Sequence, residues 1–391
     1  LSELPSEDER RDRAFRLLLA CSDWPRSESR NGRIRRAFVA LDGDWDSFME
    51  QVVRHRMAAM AADALKGAGI DPSQRLLDRA SRSTRNAIAL TAEARRLIDR
   101  LAEVGITAIV LKGPVLSQSL YGEMAMRQSI DLDLLVSWDE FYAARQALGK
   151  AGYSLCGTEP PWDDWRLTSW RKGAKDISLV HADSAIKLEL HHRLQSPEAL
   201  DVGLSVAAAT QEVVLAGRKF RTFAKDDQFA YLSVHEARNL WHRLKWLADI
   251  RALLAGSSVE ELEALMVHSR RLGAERCAAL ALLLCHRLWQ QEIPQTVLKM
   301  RDTDWRLAKL EMRSLDTLRD PAFRISKLTK FRAVLTGFLL RDDLAYSQSY
   351  VSAILSDPEM IASIKLPRSL RLFYLPLRLF YAILRKLRTS R

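Results

Sequence analysis

A chain of 391 residues with 48% hydrophobic and 28% charged side chains has the apolar mass for about two or three domains, which excludes a disordered or fibrous protein. With 16 glycines and 12 prolines it is poor in turn formers, which argues for long helices over a turn-rich β fold. The formal net charge of +11 favours an anionic partner, whether nucleotide, nucleic acid or acidic lipid, without choosing among them.

The acidic, polar start carries no signal-peptide pattern, and no apolar run approaches the about 18 residues of a membrane span. Cys21, Cys156, Cys277 and Cys285 form no C-x-x-C pair and read as buried free thiols of a reducing compartment. A cytoplasmic location is expected. Residues 8–68 read as helices, with Phe15, Leu18 and Leu19, then Phe48, Val52, Val53, Met57, Met60 and Ala61, at helical spacing. A long amphipathic helix over 75–104 stops at Gly105, and a short strand follows over 106–111. Gly113-Pro114 then opens a short helix, and a second strand spans 130–136. Residues 138–150 return to helix behind Ser137, with Asp139 and Glu140 in the first turn. A strand is expected at 152–155, a Trp- and Pro-rich loop at 158–173 (a packed Ω-loop, or else a lid or acceptor site), and a hairpin of 177–181 and 185–191. From about 205 the pattern reads as helical throughout, with clear helices at 226–254, 258–271 and 273–290.

The chemistry concentrates on the strand Ile130-Asp131-Leu132-Asp133-Leu134-Leu135-Val136. Strand side chains alternate, so Asp131 and Asp133 share one face while Leu132 and Leu134 share the other. Adjacent like charges on a largely apolar strand ask for a cation, and hard oxygen donors suit Mg²⁺. Phosphoryl-type transfer with two Mg²⁺ ions needs about three carboxylates. Glu189, on a later strand, is the natural third; Lys187 and His191 share its face, and His191 either joins the site or hydrogen-bonds within the sheet. Gly113 turns the chain where backbone must pass close to a phosphate. Lys112 and Arg127 bracket the site as phosphate contacts, the rival for Arg127 being an ion pair with Asp131.

These residues resemble an uncharacterised nucleotidyltransferase family, nucleotidyltransferase family 5, within the DNA polymerase β-like superfamily. The Lys-Gly turn at 112–113, Gly105-Ile106, Tyr121, Arg127, Asp131-x-Asp133 and Gly152-Tyr153 fall where the family pattern has them. Glu189-Leu190-His191 resembles its acid-Leu-His-Trp, with His192 in place of Trp. His235-x-x-Arg238-Asn239-x-Trp241-x-Arg243-Leu244-x-Trp246-x-x-Asp249 resembles its helical motif, in which Lys-His is commoner than Arg238-Asn239. Read as one helix, that motif puts His235, Arg238, Arg243, Trp246 and Asp249 on one face, a wall over the nucleotide with Asp249 orienting the basic groups. Trp241 and Trp246 read more naturally as core.

The expected fold is α+β, a small mixed-sheet nucleotidyltransferase core in mostly helical surroundings. The division expected is a helical region 1–88, the catalytic core 89–200, a helical nucleotide-closing domain 201–300, and C-terminal helices with a basic tail 301–391. The resemblance implies Mg²⁺-dependent transfer of a nucleotide from an NTP such as ATP to a hydroxyl or phosphate. Asp131, Asp133 and Glu189 would be catalytic metal ligands, and Lys112, Gly113, Arg127, His235, Arg238, Arg243 and Asp249 would hold the nucleotide. A peptide, sugar or small-molecule acceptor ranks above RNA; peptide tailoring of the lasso-peptide type is what some family members imply. The competing readings are a nucleotide-sensing, partner-docking protein and an RNA-directed transferase such as a tRNA-modifying toxin. Residues 365–391 hold eight Lys or Arg and no acid, a basic amphipathic segment that packs on the domain, lies on an anionic membrane or docks a protein partner.

Overall fold

The computed structural model describes residues 6–162, 164–196, 198–208, 210–320, 334–355, 358–374 and 377. The first elements are α1 (Glu7–Ser22), α2 (Glu28–Leu41), α3 (Trp45–His55), α4 (Ala58–Gly67) and α5 (Gln74–Ala102). Then come β1 (Ile109–Val110), α6 (Gly113–Tyr121), β2 (Asp131–Leu135), α7 (Trp138–Lys150), β3 (Tyr153–Leu155) and α8 (Arg166–Gly173). The hairpin β4 (Asp176–His181) and β5 (Lys187–His191) precedes a second one, β6 (Thr210–Leu215) and β7 (Arg218–Phe223). The helices α9 (Lys225–Arg238), α10 (Leu244–Leu253), α11 (Val259–Arg271), α12 (Glu275–Trp289), α13 (Gln295–Thr303) and α14 (Trp305–Arg319) follow. The class is α+β: one five-stranded sheet in the order β1-β2-β5-β4-β3 and one two-stranded sheet, among helices. No helix among the described residues is long and apolar enough to cross a membrane.

The chain forms two compact units. The first comprises Leu1–Arg95, Val110–Leu132 and Ala209–Leu340. Its opening helices start where side chains satisfy orphan amides: Ser6, Ser27 and Asp44 accept from the backbone of Glu9, Arg30 and Ser47. Leu17, Leu18, Ile34, Phe48, Val52 and Leu65 bury their side chains completely, each contributing about 1.5–3 kcal/mol of transfer free energy. On α12 the run Cys277–Cys285 is buried on every side, which marks it as a central helix.

The second unit comprises Arg96–Ile109, Asp133–Ala208 and Arg341–Arg391. Its strands β3, β4 and β5 pair antiparallel, with Ser178 opposite Glu189 and Asp176 opposite His191. The Val136 amide donates to the His191 carbonyl at 3.0 Å, tying the chain after β2 to the end of β5. Leu134, Leu179, Leu188 and Leu190 of these strands are completely buried, as are Phe141 and Leu148 of α7.

Four expectations need correction. The segment after 205 is not helical throughout: β6 and β7 form a hairpin in which Leu215 pairs with Arg218. Its turn residues Ala216 and Gly217 both have positive φ, 49° and 73°, so an alanine occupies a position where Asn, Asp or Gly is the usual signal. The helix expected over 226–254 is two helices, interrupted where Leu240 and Trp241 take φ of 57° and 48°. Trp241 is completely buried at that break, so packing overrides the helical period. The Trp-rich loop contains α8, with Trp170 buried beside Phe141 and His192. Of the four free thiols Cys156 is exposed, while Cys21, Cys277 and Cys285 are buried. The basic tail begins with the turn Arg368–Phe373, and from 378 onward it lies outside the described residues.

Candidate active site

Period two on β2 and β5 sets the geometry in the second unit. Asp133 on β2 is buried, and its Oδ1 lies 3.2 Å from His191 Nε2. The same nitrogen is 3.4 Å from Glu189 Oε2. One ligand atom from each of Asp133, Glu189 and His191 falls within 4.8 Å of the others. Lys175 completes the surroundings, 3.4 Å from Glu189 Oε2 and paired with Asp176 as well. His191 Nδ1 lies 3.7 Å from Asp176.

The electrostatics follow from these contacts. The hydrogen bond from His191, aided by Lys175 and opposed by burial and Asp133, holds the Glu189 carboxyl down to about 2. His191 is fully buried, which disfavours its charge, as does Lys175. Hydrogen bonds to Asp133 and Glu189 outweigh both and raise its pKa. Glu189 is therefore ionised at neutral pH. Two carboxylates and an imidazole fit a divalent cation: carboxylates suit Mg²⁺ or Mn²⁺, and imidazole is at home with Mn²⁺ or Zn²⁺. Asp131 opens β2 two residues before Asp133, half-exposed and on the same face of the strand.

In the first unit, Lys112 precedes α6 and is buried, with its Nζ 3.0 Å from His235 Nε2 and over the ring of Tyr231 at 5.6 Å. Lys112 can only donate, so His235 accepts at Nε2 as a neutral imidazole. Gly113 takes φ 72°, a left-handed conformation that favours glycine, and a Cβ there would stand 3.9 Å from the Asp131 carbonyl oxygen. Arg127 Nε donates to Asp249 Oδ2 at 2.7 Å, and Tyr121 donates to Asp249 Oδ1 at 2.9 Å. All three are buried. Burial opposes the charge on Arg127, but Asp249 more than offsets it and its pKa rises. The expected rival, an Arg127–Asp131 pair, is replaced by this one with Asp249. Glu236, next to His235, is 1% exposed and neither carboxyl oxygen has a hydrogen-bond partner. Burial pushes its pKa up to about 8, against the pull of Lys112 and Arg127. Lys245, also buried, is pushed well below its ordinary value and donates to the Gln128 carbonyl at 2.9 Å.

The residues expected from the sequence thus gather as Asp133 with Glu189, Lys112 with His235, and Arg127 with Asp249. Arg238 ends α9, half-buried. Arg243 caps the start of α10, with its Nη1 on the Arg54 carbonyl at 2.8 Å. Because the helix breaks at 240–241, His235 lies on α9 and Asp249 on α10, and no single helix face carries the motif. Sequence reasoning left His191 out of the ligand set, although the alternation that pairs Asp131 with Asp133 pairs Glu189 with His191 equally. Glu236 was missed outright; nothing in its local pattern marks it.

No curated protein matches the chain. A family model described as an uncharacterised nucleotidyltransferase matches residues 42–290, a span that contains every candidate site residue described above. The chain belongs to this uncharacterised nucleotidyltransferase family.

Proposed function

We propose that this protein is a metal-dependent nucleotidyltransferase that moves a nucleoside monophosphate from an NTP to an acceptor hydroxyl or phosphate. The observation that carries the reading is the Asp133–Glu189–His191 set, with Asp131 two residues upstream on β2. In a family of nucleotidyltransferases, a half-buried carboxylate held ionised beside a buried one is an arrangement for a divalent cation. Asp131, Asp133 and Glu189 would hold two Mg²⁺ ions, which supply neutralisation of phosphate charge when bound.

The chain's own residues do the rest. Glu189 stays charged, and His191 fixes both it and Asp133, so little reorganisation accompanies binding. Lys112 and the amides after Gly113 contact phosphate oxygens, with His235 holding Lys112 in place. Arg127 is fixed by Asp249 and Tyr121, and acts through the position and charge of its guanidinium. Arg238 and Arg243 add positive charge. The acceptor oxygen forms a bond to the α-phosphorus, the bond from that phosphorus to the bridging oxygen breaks, and pyrophosphate leaves. The acceptor's proton passes to Glu189 or to solvent. The cytoplasm, with its NTP pool, is the compartment this chemistry needs.

The test is a thermal-shift panel of ATP, GTP, CTP and UTP, with and without Mg²⁺, on wild type and Asp133→Asn. The reading expects a Mg²⁺-dependent rise for at least one nucleotide that the variant lacks. Equal responses in both proteins would remove Asp133 from the site and the reading with it.

A further inference from the structure

The end of α3 carries arginines that the nucleotide site has not yet used. Arg56 closes that helix in the left-handed conformation, φ 57° and ψ 52°, which side chains other than glycine rarely adopt. Two hydrogen bonds lock this junction to the start of α10. Arg243 Nη1 donates to the Arg54 carbonyl at 2.8 Å, and the Leu244 amide donates to His55 Nδ1 at 2.9 Å. His55 is completely buried, which keeps it neutral and able to accept. Arg54 turns its guanidinium to the carbonyls of Thr317 and Leu318 at the end of α14. Arg56 is different: its guanidinium, half-buried, makes no hydrogen bond or ion pair to a described residue.

Three guanidiniums, of Arg54, Arg56 and Arg243, meet at this junction. Burial, then Arg56 and Arg54, lower the pKa of Arg243 to about 10, against the pull of Glu236. Arg56 is likewise disfavoured by burial and by Arg127, with the Asp131 carboxylate pulling the other way. Half-buried guanidiniums that repel one another are stabilised by a multiply charged anion more than by a single carboxylate. A guanidinium fork also matches phosphate oxygens in a bidentate way.

We propose that Arg56, at the α3–α10 junction where Arg243 meets the Arg54 carbonyl, forms an anion subsite that takes the terminal phosphates of the donor triphosphate. The subsite rests on the nucleotidyltransferase reading. In that reaction the bond between the α-phosphorus and the bridging oxygen breaks, and its electron pair goes to the departing pyrophosphate. Arg56 would meet the charge that develops there.

The experiment is titration calorimetry of the full chain with inorganic tripolyphosphate and with a nucleoside monophosphate, in parallel with Mg²⁺·NTP. The proteins are wild type, Arg56→Ala, Arg56→Lys, Arg56→Gly and Asp133→Asn. Arg56→Gly relieves the left-handed backbone, so at least one variant lacking the guanidinium keeps the fold. The expected result is about a 10- to 100-fold loss of tripolyphosphate affinity in the alanine and glycine variants, a smaller loss in the lysine variant, and unchanged monophosphate binding. Wild-type tripolyphosphate affinity in Arg56→Gly overturns the subsite. If Mg²⁺·NTP binding is then still lost in Asp133→Asn, the nucleotidyltransferase reading stands without it. Tripolyphosphate binding through Arg56 with no Mg²⁺·NTP binding in wild type leaves the subsite and removes that reading.

Discussion

Replacing Asp249 by alanine should be among the most damaging single changes in the first unit. Asp249 accepts from Arg127 Nε at 2.7 Å and from Tyr121 Oη at 2.9 Å, and the side chains of Arg127 and Asp249 are 5% and 2% exposed. Water cannot take over these bonds. Removing the carboxylate leaves a guanidinium buried without its strongest partner, a change that costs about 3–5 kcal/mol. Asp249→Asn keeps the shape and one acceptor and should lose less, about 1–3 kcal/mol. The assay is urea unfolding followed by tryptophan fluorescence, since Trp24 packs edge-on against Tyr121 with ring centres 5.2 Å apart. A loss below about 1 kcal/mol in Asp249→Ala would refute the reasoning, because it would mean that Arg127 re-pairs at little cost, with Glu236 the nearest candidate.

Glu236→Gln should act in the opposite sense. The folded state holds this carboxyl protonated up to about pH 8, whereas an unfolded glutamate ionises near 4.5, so stability falls as pH rises between those values and is level above them. At pH 7 the penalty is on the order of 3 kcal/mol. The glutamine variant should melt at a higher temperature than wild type at pH 8 and no higher at pH 4.5; equal shifts at both pH values would count against it. Gly113→Ala should destabilise by about 1–2 kcal/mol, because φ 72° strains an L side chain; a neutral result in differential scanning calorimetry would mean the turn relaxes. His191→Ala should weaken divalent-metal affinity about 10- to 100-fold, whether the ring ligates or orients Asp133 and Glu189, and unchanged affinity would exclude both roles.

Local chemistry made much of this legible in the sequence. Ser137 before Asp139-Glu140 announces α7, and its hydroxyl does accept from the Glu140 amide. Gly105 announces the end of α5, and it sits at φ 77° while the Ile106 amide reaches back to the Leu101 carbonyl. Alternation on β2 and β5 picked out Asp133 and Glu189 because period two is a property of the strand itself. What escaped depends on partners distant in sequence. The break between α9 and α10 is set by Trp241 in the core and by His55 accepting the Leu244 amide, neither of which a helical period can register. Arg127 was bracketed with the nearby Asp131, yet its partner is Asp249. Arg56 looks like one more surface arginine until the α3–α10 junction is assembled.

The central claim is that Asp133 helps to hold a divalent ion together with a nucleotide. Electron paramagnetic resonance of Mn²⁺, titrated with a non-hydrolysable NTP analogue into wild type and Asp133→Asn, tests it directly. Wild type should bind Mn²⁺ tightly only when nucleotide is present, and the variant should not, with its circular dichroism unchanged. Equal nucleotide-dependent Mn²⁺ binding by the two proteins would contradict the account.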